Sequence, residues 1–378
     1  MTAAVDRPVV RVAAPSPPRL RAVSVAGLLV AFVAGGVLMA DGAGPGRSVP
    51  APGRLPAAAA WPKAQRAEMP GSLKDGSLFT PAVFLGASTA IGTAPTADGR
   101  WLRLIVRDAA GGVRQLSRLP ARDAPQFDDF AVDGDDVVWT QASDKGPVQI
   151  WSVNLRDGTP ARRLTADTGN AVFYGNRYDF VFANAQVYWT ATPNNPKITE
   201  IRSVPLSGGP VTTRTERGEW ALSAWPWLTD DPAGQATGTT RLRNMNAGRD
   251  IDVRFSGAES ATCTPVWCRV MVMNSNGGLA GIDVMHPDGS ARRRIAGRGA
   301  QAAVTDVAVL DRFEILSEPG PNSDLTGVAG LVVYDVSTGR TVDVCPAANG
   351  VFTRNGVLWW STGDDEATLW HTVDLRTA

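Results

Sequence analysis

Two histidines, three cysteines and a handful of aspartate clusters are the residues of this 378-residue chain that could do chemistry. A hydrolytic triad needs a base placed beside a nucleophile. His286 falls in Met285-His-Pro-Asp-Gly289, which reads as a turn, and His371 on the last apolar run. The sequence carries no G-x-S-x-G elbow, no H-E-x-x-H zinc motif and no P-loop. Both histidines therefore read as turn and strand-surface residues, and no catalytic residue is assigned. Carboxylates offer more. Asp128-Asp129, Asp133, Asp135-Asp136 and Asp364-Asp365-Glu366 have the chemistry for Ca²⁺ or for an acid/base pair. The Asp135-Asp136 and Asp364-Asp365-Glu366 groups fall at predicted turns, where Asp satisfies local backbone amides. Nothing matches an EF-hand loop, so a solvated turn is the preferred reading and neither metal nor cofactor is expected.

Asp129, Asp179 and Asp306 stand apart because they occupy one equivalent position of a repeat. Three aspartates at that position would ring one mouth of a central channel and receive a cation or a basic group. The competing reading is a strand-start residue that bonds the neighbouring repeat. Cys263 and Cys268, with four residues between them, would fit half of a metal site, but neither Cys345 nor a histidine completes it. Outside the cytoplasm a local Cys263–Cys268 disulfide is the better reading, with Cys345 left over.

These residues need a frame to position them, and the compartment is written at the N-terminus. Ala22 to Ala40 is an uncharged run of 19 residues, close to the length that crosses a hydrocarbon core of about 30 Å. Arg7, Arg11, Arg19 and Arg21 precede it against a single Asp6. The positive-inside rule puts residues 1–21 in the cytoplasm and everything after 41 outside. The run exceeds a typical signal-peptide core, so an uncleaved signal anchor is favoured over secretion after cleavage near Gly42. Residues 41–71, rich in Pro, Ala and Gly, read as a flexible tether, and residues 72–378 as the extracytoplasmic domain. Lys plus Arg equals Asp plus Glu at 37 each; that balance argues against nucleic acid as a partner.

The domain repeats. Asp129 to Trp139 and Asp179 to Trp189 share a frame offset by 50 residues: apolar run, polar turn, apolar run, then Trp-Thr. Asp133-Gly134 and Ala183-Asn184 sit at the two turns, and each stretch reads as a β-hairpin. The frame returns at Asp306–Leu316 and at Gly350–Trp360, where Asn355-Gly356 supplies the turn. A second frame, strand then Gly-bearing turn then mixed strand, recurs near 112, 158, 209, 248, 289 and 339. Two hairpins per repeat make a four-stranded antiparallel sheet, and such sheets arranged radially make a β-propeller. The expected fold is therefore all-β, with seven blades, six being the alternative. The final blade has three strands of its own after Gly350, so a strand near Ser72–Phe79 is expected to complete it and remove an open edge. Trp139, Trp189 and Trp360 share a repeat position and should fill the interfaces between blades. Trp220, Trp225 and Trp227 lie outside the frame, and core packing is preferred there over ligand stacking.

On these residues the stretch Phe130–Thr165 resembles the TolB-like propeller repeat, also called the PD40 or WD40-like repeat. The matching features are Asp133-Gly134, Val137-Val138-Trp139, Ile150-Trp151 and Asp157-Gly158 with Arg162-Arg163-Leu164-Thr165. Ala131-Val132 stand where that repeat places Ser-Pro. The resemblance implies the fold and transfers little function, because propellers are scaffolds for many purposes. The expected role is a non-catalytic binding or scaffold propeller, tethered to the cytoplasmic membrane and engaging an envelope protein or cell-wall component. The alternative is an envelope hydrolase or lyase using channel carboxylates, about 5 Å apart for retaining and about 6.5–9.5 Å for inverting glycoside chemistry.

Overall fold

The computed structural model describes residues 53–378 apart from 196, 237 and 364–366. The apolar run 22–40 and the acidic group 364–366 lie outside the described residues. Among the described residues no helix is long and apolar enough to cross a membrane.

Apolar alternation broken every few residues by Gly, Asn and Asp dictates short strands and tight turns. The chain opens with β1 (Leu55–Pro56), a single helical turn α1 (Ala57–Ala60) and β2 (Arg66–Pro70). Sheet 1 follows, from β3 (Thr80–Gly86), β4 (Thr89–Pro95), β5 (Trp101–Arg107) and β6 (Val113–Pro120). Sheet 2 holds β7 (Gln126–Asp133), β8 (Asp136–Ser143), β9 (Gly146–Asn154) and β10 (Arg162–Thr165). Sheet 3 holds β11 (Val181–Ala183), β12 (Gln186–Ala191), β13 (Ile198–Pro205) and β14 (Thr212–Arg217). Sheet 4 holds β15 (Ala221–Leu222), β16 (Trp227–Thr229), β17 (Thr239–Asn244) and β18 (Arg249–Arg254). Sheet 5 holds β19 (Glu259–Cys263), β20 (Cys268–Met273), β21 (Leu279–Met285) and β22 (Arg293–Ala296). All five are antiparallel, with strands in sequence order.

The remaining strands are β23 (Gln301–Ala302), β24 (Phe313–Pro319), β25 (Ala329–Asp335), β26 (Arg340–Arg354), β27 (Val357–Thr362) and β28 (Leu369–Asp374). They form one eight-stranded sheet in the order β2-β28-β27-β26-β25-β24-β23, with β1 beside β26. The long β26 serves two partners: Arg340–Ala348 pairs with β25 and Asn349–Arg354 with β27.

The core is divided among the sheets. One apolar cluster joins Val83, Ile91 and Leu104 of sheet 1 to Phe127, Trp139 and Val153 of sheet 2. The next joins Val138 and Ile150 to Val187, Trp189 and Val204 of sheet 3. Similar clusters link sheets 3 and 4, sheets 4 and 5, and sheet 5 with β24 and β25. Trp360 packs with Leu358, Ile315 and Val333 inside the eight-stranded sheet. Val357 and Trp359 of β27 then meet Phe84, Ala90 and Ile105, back in sheet 1. Trp139, Trp189 and Trp360 thus fill the apolar contacts, at 0%, 0% and 6% exposure.

Three expectations need correction. The tether does not extend to residue 71. Arg54 holds Glu318 at 2.7 and 2.8 Å, β1 pairs with β26, and Trp61 is buried against Phe313. Apolar Trp61 and Met69 give this Pro/Ala-rich segment enough buried surface to order it. The strand that joins the last sheet is Arg66–Pro70, paired with β28, whereas Ser72–Phe79 makes a turn closed by a Ser72–Leu78 bridge. The hairpin expected at Asp306–Leu316 is only half formed: residues 304–308 leave the ladder and a Val309–Phe313 bridge resumes it. Ala308, Leu310 and Asp311 there have positive φ, which no regular strand accommodates.

Candidate functional site

In the radial arrangement expected of such sheets the strand that opens each four-stranded unit lies innermost, and β7, β11 and β23 are each interrupted. In β7, Asp128 pairs with Thr140 and Ala131 with Val138. Asp129 and Phe130 therefore share Trp139 as their opposite residue, a β-bulge that re-aims a side chain. Asp129 sits in the left-handed region at φ 52°. In sheet 3, Val172 bonds back to Thr190 and Val181 pairs with Tyr188. Residues 173–180 leave between them, opposite Trp189 alone. In the eight-stranded sheet, residues 304–308 leave opposite Glu314. Asp129, Asp179 and Asp306 lie on these three excursions, not at the starts of regular strands.

The structure brings Asp129 and Asp179 together. Asp179 is buried, and its carboxylate accepts the N–H groups of Tyr174 at 2.7 Å and Asn176 at 2.9 Å. Burial and then the charge of Asp129 push its carboxyl up to about 7, against opposition from Arg354 and those two N–H groups. Asp129 accepts the Thr140 hydroxyl at 2.8 Å. Burial raises its carboxyl to about 6; the Thr140 bond opposes this, the Asp128 charge adds to it and Arg354 again opposes. Asp128 is itself open to solvent yet crowded by its surroundings, and its carboxyl is raised by desolvation. Chemically, this is a carboxyl pair that exchanges protons near neutral pH, with one neighbouring guanidinium.

Asp306 serves a different contact. Its carboxylate accepts the Arg177 N–H at 2.9 Å and the Thr353 hydroxyl at 3.3 Å. Arg177 also approaches Asp311 at 3.4 Å and lies over the Tyr178 ring. Burial first, opposed by Arg177, pushes the Tyr178 phenol up to about 12. Arg354 donates to the Asn176 carbonyl. Arg177 and Arg354 are the residues that sequence reasoning missed. The signal available was Gly175-Asn176, a turn pair just upstream of Asp179 that a strand start does not need.

The remaining candidates take structural partners. Asp136 accepts from Asn154 at 2.8 Å and Asp135 faces Arg156 at 2.9 Å, both at the β7–β8 turn. His286 stacks on Trp267 and bonds the Val266 carbonyl, while His371 meets Thr362 at 2.7 Å. Trp220 is buried under Arg243, Trp225 lies 4.0 Å from Tyr188, and Trp227 packs beneath Arg249. Cys263 and Cys268 face each other at the end of the β19–β20 hairpin and are joined as a disulfide. Cys345 is a free, partly buried thiol.

No protein-family model and no curated protein sequence matches the chain. Its backbone is similar to the β-propeller domain of the trilobed protease from Pyrococcus furiosus, with TM-score 0.50 and 8% identity over 79% of this chain and 93% of that one. The fold is a β-propeller. Similar propellers occur in a prolyl endopeptidase (TM-score 0.47, 13% identity, 82% of this chain and 50% of that one). Another is in a puromycin-hydrolysing peptidase of Mycobacterium tuberculosis (TM-score 0.49, 17% identity, 81% and 53%). The chain spans about half the length of these two peptidases. The expected non-catalytic scaffold finds no support here: the propeller matched at TM-score 0.50 is a domain of a protease. At such identities the likeness itself is one of fold.

Proposed function

We propose that this hydrolase-related propeller receives a peptide by a cationic group, a free N-terminal amine or a basic side chain, at the Asp129–Asp179 pair. One observation carries the reading: two adjacent carboxyls in a desolvated setting share Arg354 as the one cation acting on them among the described residues, and both sit well above their ordinary range. Such a cluster is one positive charge short. An ammonium entering it lets both carboxyls ionise, which makes the desolvated charges pay their way. The protonated member also meets the condition for a general acid near neutral pH.

The test uses the full chain at pH 6.5, where one carboxyl of the pair still holds its proton, with chromogenic peptide amides, free or acetylated at the N-terminus. Hydrolysis and calorimetric binding are both read. We expect at least tenfold preference for the free amine, lost in Asp129→Asn and Asp179→Asn. Equal handling of the two peptides, or no interaction with either, overturns the reading.

Within this proposal the eight-stranded sheet is two blades joined through β26, giving seven, with β2 closing the last. The pairing of β2 with β28 and the packing of Trp359 on Phe84 support that count. The likeness to TolB-like repeats is one of local pattern around Phe130–Thr165. We place the propeller outside the cytoplasmic membrane, anchored through residues 22–40 and working on an envelope protein or cell-wall peptide. The Cys263–Cys268 disulfide supports an oxidising compartment. Protease shaving of intact cells tests the topology, and a protected domain would sink it.

A further inference from the structure

We propose that residues 173–180 form a releasable plug across the propeller's channel, pinned in place by Thr305, Asp306, Asp311 and Arg354. The segment leaves the innermost strand of sheet 3 and returns to it, held at its base by Val172–Thr190 and Val181–Tyr188 pairing. Its tip meets residues before β24 and at the end of β26, which belong to innermost strands well removed along the sheet order. In a radial arrangement such strands meet only across the centre.

The pins to the far strands are polar, while Tyr178 also packs on the apolar cluster between sheets 3 and 4. Asp306 takes the Arg177 N–H, Thr305 donates to the Gly175 carbonyl at 3.1 Å, Arg354 donates to the Asn176 carbonyl, and Asp311 faces the Arg177 guanidinium. The apolar anchors, Phe173 and Phe180, pack in the cluster between sheets 2 and 3 and stay at the base. The tip residues 174–178 remain half-buried, and Gly175 has φ 72°. The buried Nε of Arg177 finds no partner, so the contact is incompletely satisfied. A permanent brace would be expected to carry apolar packing onto the far strands; polar pins there, on an apolar hinge, describe a gate. The inference deepens the proposed function, because Asp179 holds the plug's own amides and changes partners when the plug leaves.

Hydrogen exchange of the full chain, read by mass spectrometry, tests it without any peptide. Residues 173–180 should exchange at least tenfold faster than β8 and β12. Asp306→Ala should speed them a further tenfold while leaving β8 and β12 unchanged. Thr305→Val, which removes one exposed pin, should give a smaller acceleration confined to the same segment and serves if Asp306→Ala fails to fold. Exchange of the segment no faster than β8 and β12 in wild type and variants overturns the plug and makes it a fixed brace. Because no ligand is involved, that outcome is separate from failure of the peptide reading.

Discussion

Replacing Asp179 with Asn removes one buried carboxyl while keeping the side chain's size. Burial first, and then the charge of Asp129, push the native carboxyl from its ordinary 3.8 up to about 7. Below pH 3.8 the group is neutral in both folded and unfolded chains and costs nothing. Between 3.8 and 7 the unfolded chain sheds the proton and the folded one keeps it, so stability falls as pH rises. At 1.36 kcal/mol for each pH step the accumulated cost reaches about 4 kcal/mol by pH 8. Asn escapes that cost but offers one acceptor oxygen where the carboxylate bonds both Tyr174 and Asn176, a loss of about 1 kcal/mol. The variant should therefore be nearly neutral at pH 4.5 and more stable by about 3 kcal/mol at pH 8. For a domain of this length that is a rise of about 4 °C in melting temperature. Thermal melts followed by near-ultraviolet circular dichroism at the two pH values measure it. A variant less stable than wild type at pH 8 would refute the reasoning: Arg354 and the two amides would then outweigh desolvation, and the pair would not be short of a cation.

Two further outcomes follow from the fold. Glu314 is fully buried, holds Arg269 at 2.8 Å and accepts the Ala308 N–H at 2.7 Å. Glu314→Gln strands a buried guanidinium and should cost about 3–5 kcal/mol in urea denaturation; a loss below about 1 kcal/mol would show that the backbone carbonyls of Val304 and Asp306 suffice for Arg269. Deleting residues 66–70 uncovers the edge of β28, an open template for association. The truncated chain should elute as aggregates or strand-exchanged oligomers on size-exclusion chromatography, and a monodisperse product with an unchanged melt would show that β2 does not close the ring.

Repetition made the architecture legible. The turn-strand frame near 112, 158, 209, 248, 289 and 339 corresponds to the outer hairpin of each sheet, from β5–β6 to β25–β26. Turn chemistry located loops to within a residue. Asn355 and Gly356 both have positive φ, as a two-residue hairpin loop requires, and they join Arg354 to Val357 as the sequence suggests. At the β11–β12 turn the loop is Asn184-Ala185, one residue later than the composition points to. The excursions were not legible. A repeat aligns residues by spacing, and Asp129, Asp179 and Asp306 all stand ten positions before an apolar strand end. Spacing cannot reveal that two, eight and five residues have left the ladder there, because what pulls them out is a contact far away in sequence: Arg177 with Asp306, and Arg354 with Asn176. The order of residues 53–70 was missed for a related reason. Alanine and proline suggest a tether, and only Trp61, Met69 and the partner strand β28 argue otherwise.

The two proposals constrain each other through energy. Four polar pins hold the tip of the 173–180 segment; the three with a charged group contribute about 1.5–3 kcal/mol net each and the neutral one about 0.5–1.5. Fixing the backbone of its eight residues costs about 1–2 kcal/mol apiece. The pins alone therefore do little more than match the ordering of the segment. What else favours the seated state is Tyr178 packed on the cluster between sheets 3 and 4, with the segment's shape held from within by the two amides on Asp179, the carboxyl that burial and Asp129 push towards protonation. A bound ammonium would leave Asp179 ionised and free to turn from the Tyr174 and Asn176 amides towards the ligand. Ligand entry and plug release would then draw on the same carboxylate, so each promotes the other. A cluster that is merely structural has no reason to place a carboxyl pushed up to about 7 within a segment held to the far strands by polar contacts; a site that opens when it binds does.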